Sequence, residues 1–133
     1  LKSTEFSVKT RKRIEVVDIT GKVDAYVREN GLKDGVLTVY VPHTTAGITI
    51  NENADPSVKS DFLNTINQLI PANAGYSHME GNADSHIKTI LTNPSQTFIV
   101  EDSRLVLGTW QGIYFCEYDG PRSRRVWLKF IEG

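Results

Sequence analysis

The sequence contains a single cysteine, Cys116, among 133 residues. A lone thiol excludes an internal disulfide framework and a Cys-rich zinc site. No apolar run approaches the roughly 18 residues that cross a bilayer, so no membrane partner is expected. The segment Leu1-Lys2-Ser3-Thr4-Glu5 has no apolar signal core. Neither sign of charge prevails: 15 Lys and Arg face 16 Asp and Glu, for a net charge of −1. A nucleic-acid module carries a clear basic excess, so that class of partner is disfavoured. Repeats, low-complexity tracts and Pro/Ser-rich linkers are also missing. One domain over residues 1–133 fits this length, and a cytoplasmic protein is the expectation. Near-zero net charge leaves little colloidal repulsion, which is compatible with self-association.

The apolar pattern predicts a mixture of short strands and three helices. Thr4 to Thr10 alternates, with Phe6 and Val8 on one face, as a half-buried strand does. A second short strand spans Ile14 to Asp18. Thr20 is a candidate cap for a helix running to Glu29, with Val23, Tyr26 and Val27 as its apolar stripe and Asn30-Gly31 as its stop. Strands follow at Gly35 to Val41 and Ala46 to Asn51. Asp55-Pro56 is a helix start, and Val58, Phe62, Leu63, Ile66, Leu69 and Ile70 then recur at helical spacing up to Pro71. After a polar loop, Asn82 is a candidate cap for a third helix with Ala83, Ile87, Ile90 and Leu91 as its buried stripe. The last 40 or so residues read as strands close enough for antiparallel pairing (~2–6 residues between them). The irregular mixing of elements predicts an α+β fold rather than a doubly wound sheet.

Polar residues that this pattern does not absorb are concentrated in four places. The three histidines, His43, His78 and His86, lie near loops or element ends. Three imidazoles are a donor set for a catalytic Zn²⁺, with a fourth position open to water or substrate. Their spacing matches no zinc signature such as His-Glu-x-x-His, so three unrelated, locally bonded histidines is the competing reading. Glu52, in Asn51-Glu52-Asn53-Ala54-Asp55, is a candidate acid or base at a strand end. Arg122, Ser123, Arg124 and Arg125 sit in a turn; guanidinium groups bind phosphate in bidentate fashion, and a solvated basic hairpin tip is the alternative. Gly108-Thr109-Trp110-Gln111-Gly112 places a Trp and a Gln between glycines, where a close backbone approach is expected. Trp110 is either core or the wall of a pocket for a flat ring. Cys116 reads as a buried small hydrophobe. Neither a Gly-x-Ser-x-Gly elbow nor a Gly-rich phosphate loop is present.

These segments carry a resemblance over essentially the whole chain. Pro42-His43-Thr44-Thr45-Ala46-Gly47 and Ile50-Asn51-Glu52-Asn53-Ala54-Asp55-Pro56 resemble the first motif of the YjbQ-like family. His78 with Asn82 to Lys88 resembles the second, with more polar residues before His86 than the family pattern has. Leu107 to Tyr114, followed by Arg122 to Arg125, resembles the third. The resemblance implies a single α+β domain with β-sandwich-like sheets and a homotrimer. It also implies thiamine-phosphate synthase activity, which joins hydroxymethylpyrimidine diphosphate to thiazole phosphate with release of pyrophosphate. The substrate would be a small phosphorylated heterocycle. In that reading Arg122, Arg124, Arg125, Ser123, Thr44 and Thr45 bind phosphate. His43, His78 and His86 form a divalent-metal (Zn or Mg) or proton-transfer centre with Glu52 close by, and Trp110 and Gln111 hold the heterocycle. A metal-dependent hydrolase of a phosphorylated metabolite and a non-catalytic ligand-binding trimer are the alternatives.

Overall fold

The computed structural model describes residues 2–133; Leu1, at the head of the polar N-terminal segment, lies outside the described residues. Those residues form eight strands and three helices: β1 (Thr4–Lys9), β2 (Glu15–Asp18), α1 (Thr20–Glu29), β3 (Gly35–Tyr40), β4 (Ala46–Glu52), α2 (Pro56–Leu69), α3 (Ala83–Thr92), β5 (Ser95–Glu101), β6 (Arg104–Leu105), β7 (Gln111–Glu117) and β8 (Ser123–Glu132). The strands make a five-stranded sheet in the order β1-β8-β3-β5-β6 and a three-stranded sheet in the order β2-β7-β4. Every pairing is antiparallel. The α+β reading with three helices therefore describes the fold.

The main core lies between the sheets. Val8, Leu37, Val39, Phe98, Val100, Val126 and Leu128 from the larger sheet meet Ala46, Ile48, Ile113 and Phe115 from the smaller, with Val23 and Val27 of α1 closing one side. Each Val, Leu, Ile or Phe among them contributes about 1.5–3 kcal/mol when fully buried. Strand β7 is buried on both faces. Ile113 and Phe115 enter this core, while Tyr114 and Cys116 join Tyr118 and the α2 residues Ile66 and Ile70 in a second cluster. A strand covered on both sides reads as a continuous apolar run, as Ile113-Tyr114-Phe115-Cys116 does.

Helix boundaries follow local chemistry. Asp55 caps α2 by accepting from the Ser57 N–H at 2.9 Å, with Pro56 at the first helical position. Thr20 does not cap α1; Ile19 holds that position, and Asp18 accepts from both the N–H and the hydroxyl of Thr20. Gly31, at φ +58, supplies the left-handed turn after α1. Asn82 holds the N-cap position of α3, but its side chain makes no capping bond and instead donates Nδ2 to Asp119 Oδ2 at 2.9 Å.

The larger correction concerns the α3 face. Of the stripe Ala83, Ile87, Ile90 and Leu91, only Ala83 is buried; Ile90 is 73% and Leu91 63% exposed. The buried face is polar: Asp84, Ser85, Lys88, Thr89 and Thr92. Each finds a partner there. Asp84 takes the Lys88 ammonium at 2.7 Å and the Arg13 guanidinium at 2.9 Å. Ser85 donates to the Tyr118 carbonyl. Thr89 and Thr92 donate to the carbonyls one turn back, and the Tyr118 hydroxyl bonds Thr92 Oγ at 2.8 Å. Hydrogen bonds and ion pairs offset the desolvation cost of this polar face, and the apolar stripe is left facing outwards. Leu69 of α2, 74% exposed, is likewise outside the core its spacing suggested.

Candidate functional site

The candidate residues separate along the β4–β7 ladder. Ala46 pairs with Glu117 at one end and Glu52 with Gln111 at the other. Six steps at ~3.4 Å put these ends about 20 Å apart.

The first end is basic. His43 and Thr44 precede β4, and the β7–β8 turn brings Arg122 to Arg125 beside them. His43 Nε2 accepts the Arg125 N–H at 2.9 Å, so its proton sits on Nδ1. Arg124 is buried. It donates Nε to Glu117 Oε1 at 2.8 Å and Nη2 to Glu117 Oε2 and to Thr45 Oγ at 2.8 Å. Thr10 Oγ adds a bond to Glu117 at 2.7 Å and accepts the Arg122 N–H at 3.0 Å. Burial alone would raise Glu117, but the bonds from Arg124, the Asp119 N–H and Thr10 together hold it below the ordinary carboxylate value. Gly120 completes the turn, because a Cβ there would stand 2.3 Å from the Lys12 carbonyl oxygen. Arg124 and Thr45 are thus spent on structure. Arg122 and Arg125 remain on the surface, 51% and 61% exposed, with partners Asp119 at 3.2 Å and Glu5 at 3.8 Å. Ser123 and Thr44 are exposed beside them.

Partial burial, and then the Arg124 charge, push the His43 imidazole below its usual 6.5; Glu117 acts the other way. A histidine lowered in the folded state binds fewer protons there than in the unfolded chain. Its contribution is present above about pH 6.5 and is lost as pH falls through the lowered value. An NMR titration is expected to place the His43 midpoint below that of a free imidazole, with the Arg125 amide resonance moving in step. A midpoint at or above 6.5 contradicts this environment.

The α3 N-terminus joins the same end through Asn82–Asp119 and Asp84–Arg13. Arg13, which precedes β2, thereby ties that end of the chain to α3. His78 and His86 stand together with ring centroids 4.9 Å apart, edge to face, in a shallow cleft of Tyr76, Ser77, Ala83 and Ile87. The third imidazole is not with them. Among the described residues no three His, Cys, Asp or Glu side chains group closely enough to hold a metal ion. One protomer's donors therefore do not make the three-ligand set of a catalytic zinc.

The other end holds the Glu52, Trp110 and Gln111 candidates. Glu52 Oε2 accepts the Ala54 and Asp55 N–H groups at 2.9 and 3.3 Å, a turn-making role its sequence context did not reveal. Gln111 Oε1 accepts the Gly108 N–H at 2.8 Å, and the Asn53 N–H bonds the Trp110 carbonyl at 2.7 Å. The Asn53 side chain bonds Asp18 and Tyr114 at 3.1 and 2.7 Å. Gly112 is required by close approach, since a Cβ there would lie 2.6 Å from Asn53. The two most distinctive segments thus lock one another. Trp110 is not core: it is 63% exposed on this rigid turn.

Sequence reasoning overlooked Glu117, Lys88 and Thr10, and gave Asp84, in the second motif, no role. Glu117 carried a signal, since a carboxylate directly after an apolar run in a doubly covered strand needs a buried cation.

Comparison with known proteins agrees with the fold and motifs. The family model described as "UPF0047 protein YjbQ-like" matches residues 4–133. The UPF0047 protein MJ1081 of Methanocaldococcus jannaschii is 54% identical over 96% of this chain and 92% of its own length. YugU of Bacillus subtilis is 52% identical over 93% and 95%. A Clostridium acetobutylicum crystal structure of the same family superposes with a TM-score of 0.93 at 51% identity, covering 96% of this chain and 99% of that one. Hypothetical protein APE1520 of Aeropyrum pernix gives a TM-score of 0.95 at 38% identity with full coverage of both chains. These names state no activity. With the fold, the motifs and the relatives in agreement over nearly its whole length, the chain belongs to the YjbQ-like UPF0047 family.

Proposed function

We propose that the protein is a transferase with thiamine-phosphate synthase activity, joining hydroxymethylpyrimidine diphosphate to thiazole phosphate with release of pyrophosphate. The observation that carries the reading is the basic turn. Arg124, anchored in the interior by Glu117 and Thr45, fixes a turn whose neighbours Arg122 and Arg125 stay exposed beside His43, Thr44 and Ser123. Such a cradle suits a diphosphate, because guanidinium pairs bind phosphoryl oxygens in bidentate fashion.

In the reaction the bond from the pyrimidine methylene to the diphosphate oxygen breaks, and the electron pair leaves with pyrophosphate. The thiazole nitrogen supplies the pair for the new carbon–nitrogen bond. Negative charge grows on the leaving diphosphate, and preorganised cations at that position lower the barrier. Arg122 and Arg125 supply that charge. His43, neutral at Nε2 and bonded to the Arg125 N–H, orients the strand that carries Arg125. No step is routed through a metal, since one protomer lacks a fitting ligand set. Homotrimer assembly and a cytoplasmic location are part of the proposal. Its support is the exposed apolar stripe of α3; among the described residues no helix is long and apolar enough to cross a membrane.

A second reading rests on the paired His78 and His86 rings: a hydrolase of a phosphorylated metabolite, its metal set completed from outside the protomer. One assay separates the two. Purified protein, with and without Mg²⁺, is given both phosphorylated precursors or either alone. The transferase reading expects thiamine phosphate only with both, and a loss of ~10²-fold or more in Arg125→Ala. Phosphate release from a single precursor, with metal bound to the protein as isolated, favours the hydrolase.

A further inference from the structure

The smaller sheet is only partly covered on its outward face. Helix α2 rests on β2 and β7, where Phe62, Ile66 and Ile70 pack with Val16, Tyr114 and Cys116. Helix α3 rests on the start of β4, where Gly47 permits a close approach: a Cβ there would stand 2.8 Å from the Asn93 carbonyl oxygen. Farther along β4, Ile48 and Ile50 point into the main core, so Thr49 and Asn51 point the other way. These two residues and the buried Tyr114 ring floor a cleft of about 640 Å³ that α2 walls and Leu91 of α3 also lines. Ligand pockets usually hold ~300–1,000 Å³. Leu69 and Leu91 in its lining are 74% and 63% exposed. Apolar side chains gathered in the open around a cleft mark a ligand groove.

The polar groups of the cleft are arranged by depth. Helical spacing divides the α2 wall into two rows. Lys59, Phe62 and Ile66 form the inner row, and Lys59 Nζ stands 5.3 Å over the Tyr114 ring. Val58, Asp61, Thr65 and Leu69 form the outer row, where Asp61 is exposed to solvent. Lys59 makes no ion pair among the described residues; Asp18, within its electrostatic reach, is bonded to Thr20 and Asn53 instead. The Thr49 and Thr65 hydroxyls make no hydrogen bond among the described residues. Asn51 Oδ1 is taken by the Glu52 N–H at 2.8 Å, which leaves its amide nitrogen to donate. Ammonium, amide and hydroxyl groups all donate to oxygen acceptors.

We propose that the cleft between α2 and α3 is a second ligand site, separate from the basic turn, which takes a flat, mostly apolar organic anion with its acidic group at Lys59. The ring system lies against Phe62, Leu69 and Leu91, and covering those side chains supplies the apolar gain. The charge-assisted bond at Lys59 fixes the orientation. The site does not depend on the transferase reading, and failure of thiamine-phosphate formation leaves it standing.

Fluorescence titration of the full chain with anilinonaphthalene sulfonate, a fused-ring aromatic anion, tests the site. Saturable binding of a single probe per chain is expected. Thr65→Trp, at an exposed position on the wall, is expected to fill the cleft and abolish that binding. Leu69→Glu, on the exposed rim, is expected to abolish it through like charge, and serves if the Trp variant folds poorly. Lys59→Met is expected to weaken the sulfonate about tenfold, while uncharged phenylnaphthylamine binds variant and wild type alike. Arg122→Ala/Arg125→Ala is expected to bind the sulfonate as the wild type does. Absence of saturable binding to the wild type, binding unchanged in both Thr65→Trp and Leu69→Glu, or equal weakening of both probes by Lys59→Met overturns the proposal. Loss of binding in the arginine variant also overturns it, and assigns the probe to the basic turn.

Discussion

Replacing Arg124 with Ala is expected to destabilise the protein by about 3–5 kcal/mol, because it strips the counter-charge from a buried carboxylate. Glu117 is wholly enclosed, and Arg124 is 3% exposed. Once the guanidinium is gone, Thr10 and the Asp119 N–H are the remaining donors to Glu117. The carboxyl must then stay charged in a poorly compensated site or take up a proton. A fall in melting temperature on the order of 10–20 °C is expected for a domain of this size. Denaturant unfolding with an unchanged slope would assign the effect to stability. The double variant Arg124→Leu/Glu117→Met is expected to recover most of the loss, since apolar replacement of a whole buried pair is often neutral or stabilising. A single-variant loss below ~1 kcal/mol would mean that the pair behaves like an exposed one.

The second large effect is expected at Asp84. This carboxylate faces the fully buried Lys88 ammonium and the Arg13 guanidinium. Burial alone would raise it, but the Arg13 and Lys88 bonds outweigh burial and hold it below its usual value. Asp84→Ala leaves Lys88 without a counter-charge, at a cost of about 3–5 kcal/mol. Lys88→Met in the same chain is expected to return most of that stability by removing the orphaned ammonium. The pair also predicts a local readout. With Asp84 gone, the tie between α3 and the β1–β2 turn through Arg13 is lost, and hydrogen exchange in the first turn of α3 is expected to quicken. Full stability in Asp84→Ala contradicts this assignment.

Both effects concern polar residues that apolar patterning does not place in the interior, and the reason is physical. Apolar periodicity locates elements that bury hydrocarbon, and it found all three helices and the main strands here. Val23 and Val27, Ile66 and Ile70, and the paired strands β3, β7 and β8 lie where their spacing put them. Helix α3 breaks the rule because its neighbours present charges and carbonyls rather than hydrocarbon. Polar residues with good partners bury, and the apolar stripe is left outside. No count of apolar residues along one chain reveals a partner such as Arg13, which reaches Asp84 from 71 positions away.

The candidate site was legible in composition and not in arrangement. His43, Ser123, Arg122 and Arg125 do come together, because a turn and a strand start meet at one end of a ladder. Arg124 looked identical to its neighbours in sequence, but alternation along β8 turns it inwards. Glu52 and Gln111 looked unemployed because their work is bonding to backbone N–H groups two or three residues away. Trp110 is the residue whose exposure only three-dimensional placement could establish.

The central claim is that the basic end binds a diphosphate through Arg122 and Arg125. Titration calorimetry with inorganic pyrophosphate tests it most directly, comparing the wild-type chain with Arg122→Ala/Arg125→Ala. Both arginines are exposed, so the variant is expected to keep its melting temperature. The account predicts saturable, salt-sensitive binding to the wild type, weakened at least about tenfold in the variant, which is roughly 1.4 kcal/mol. Equal affinity in the two proteins, or no binding to either, would contradict it.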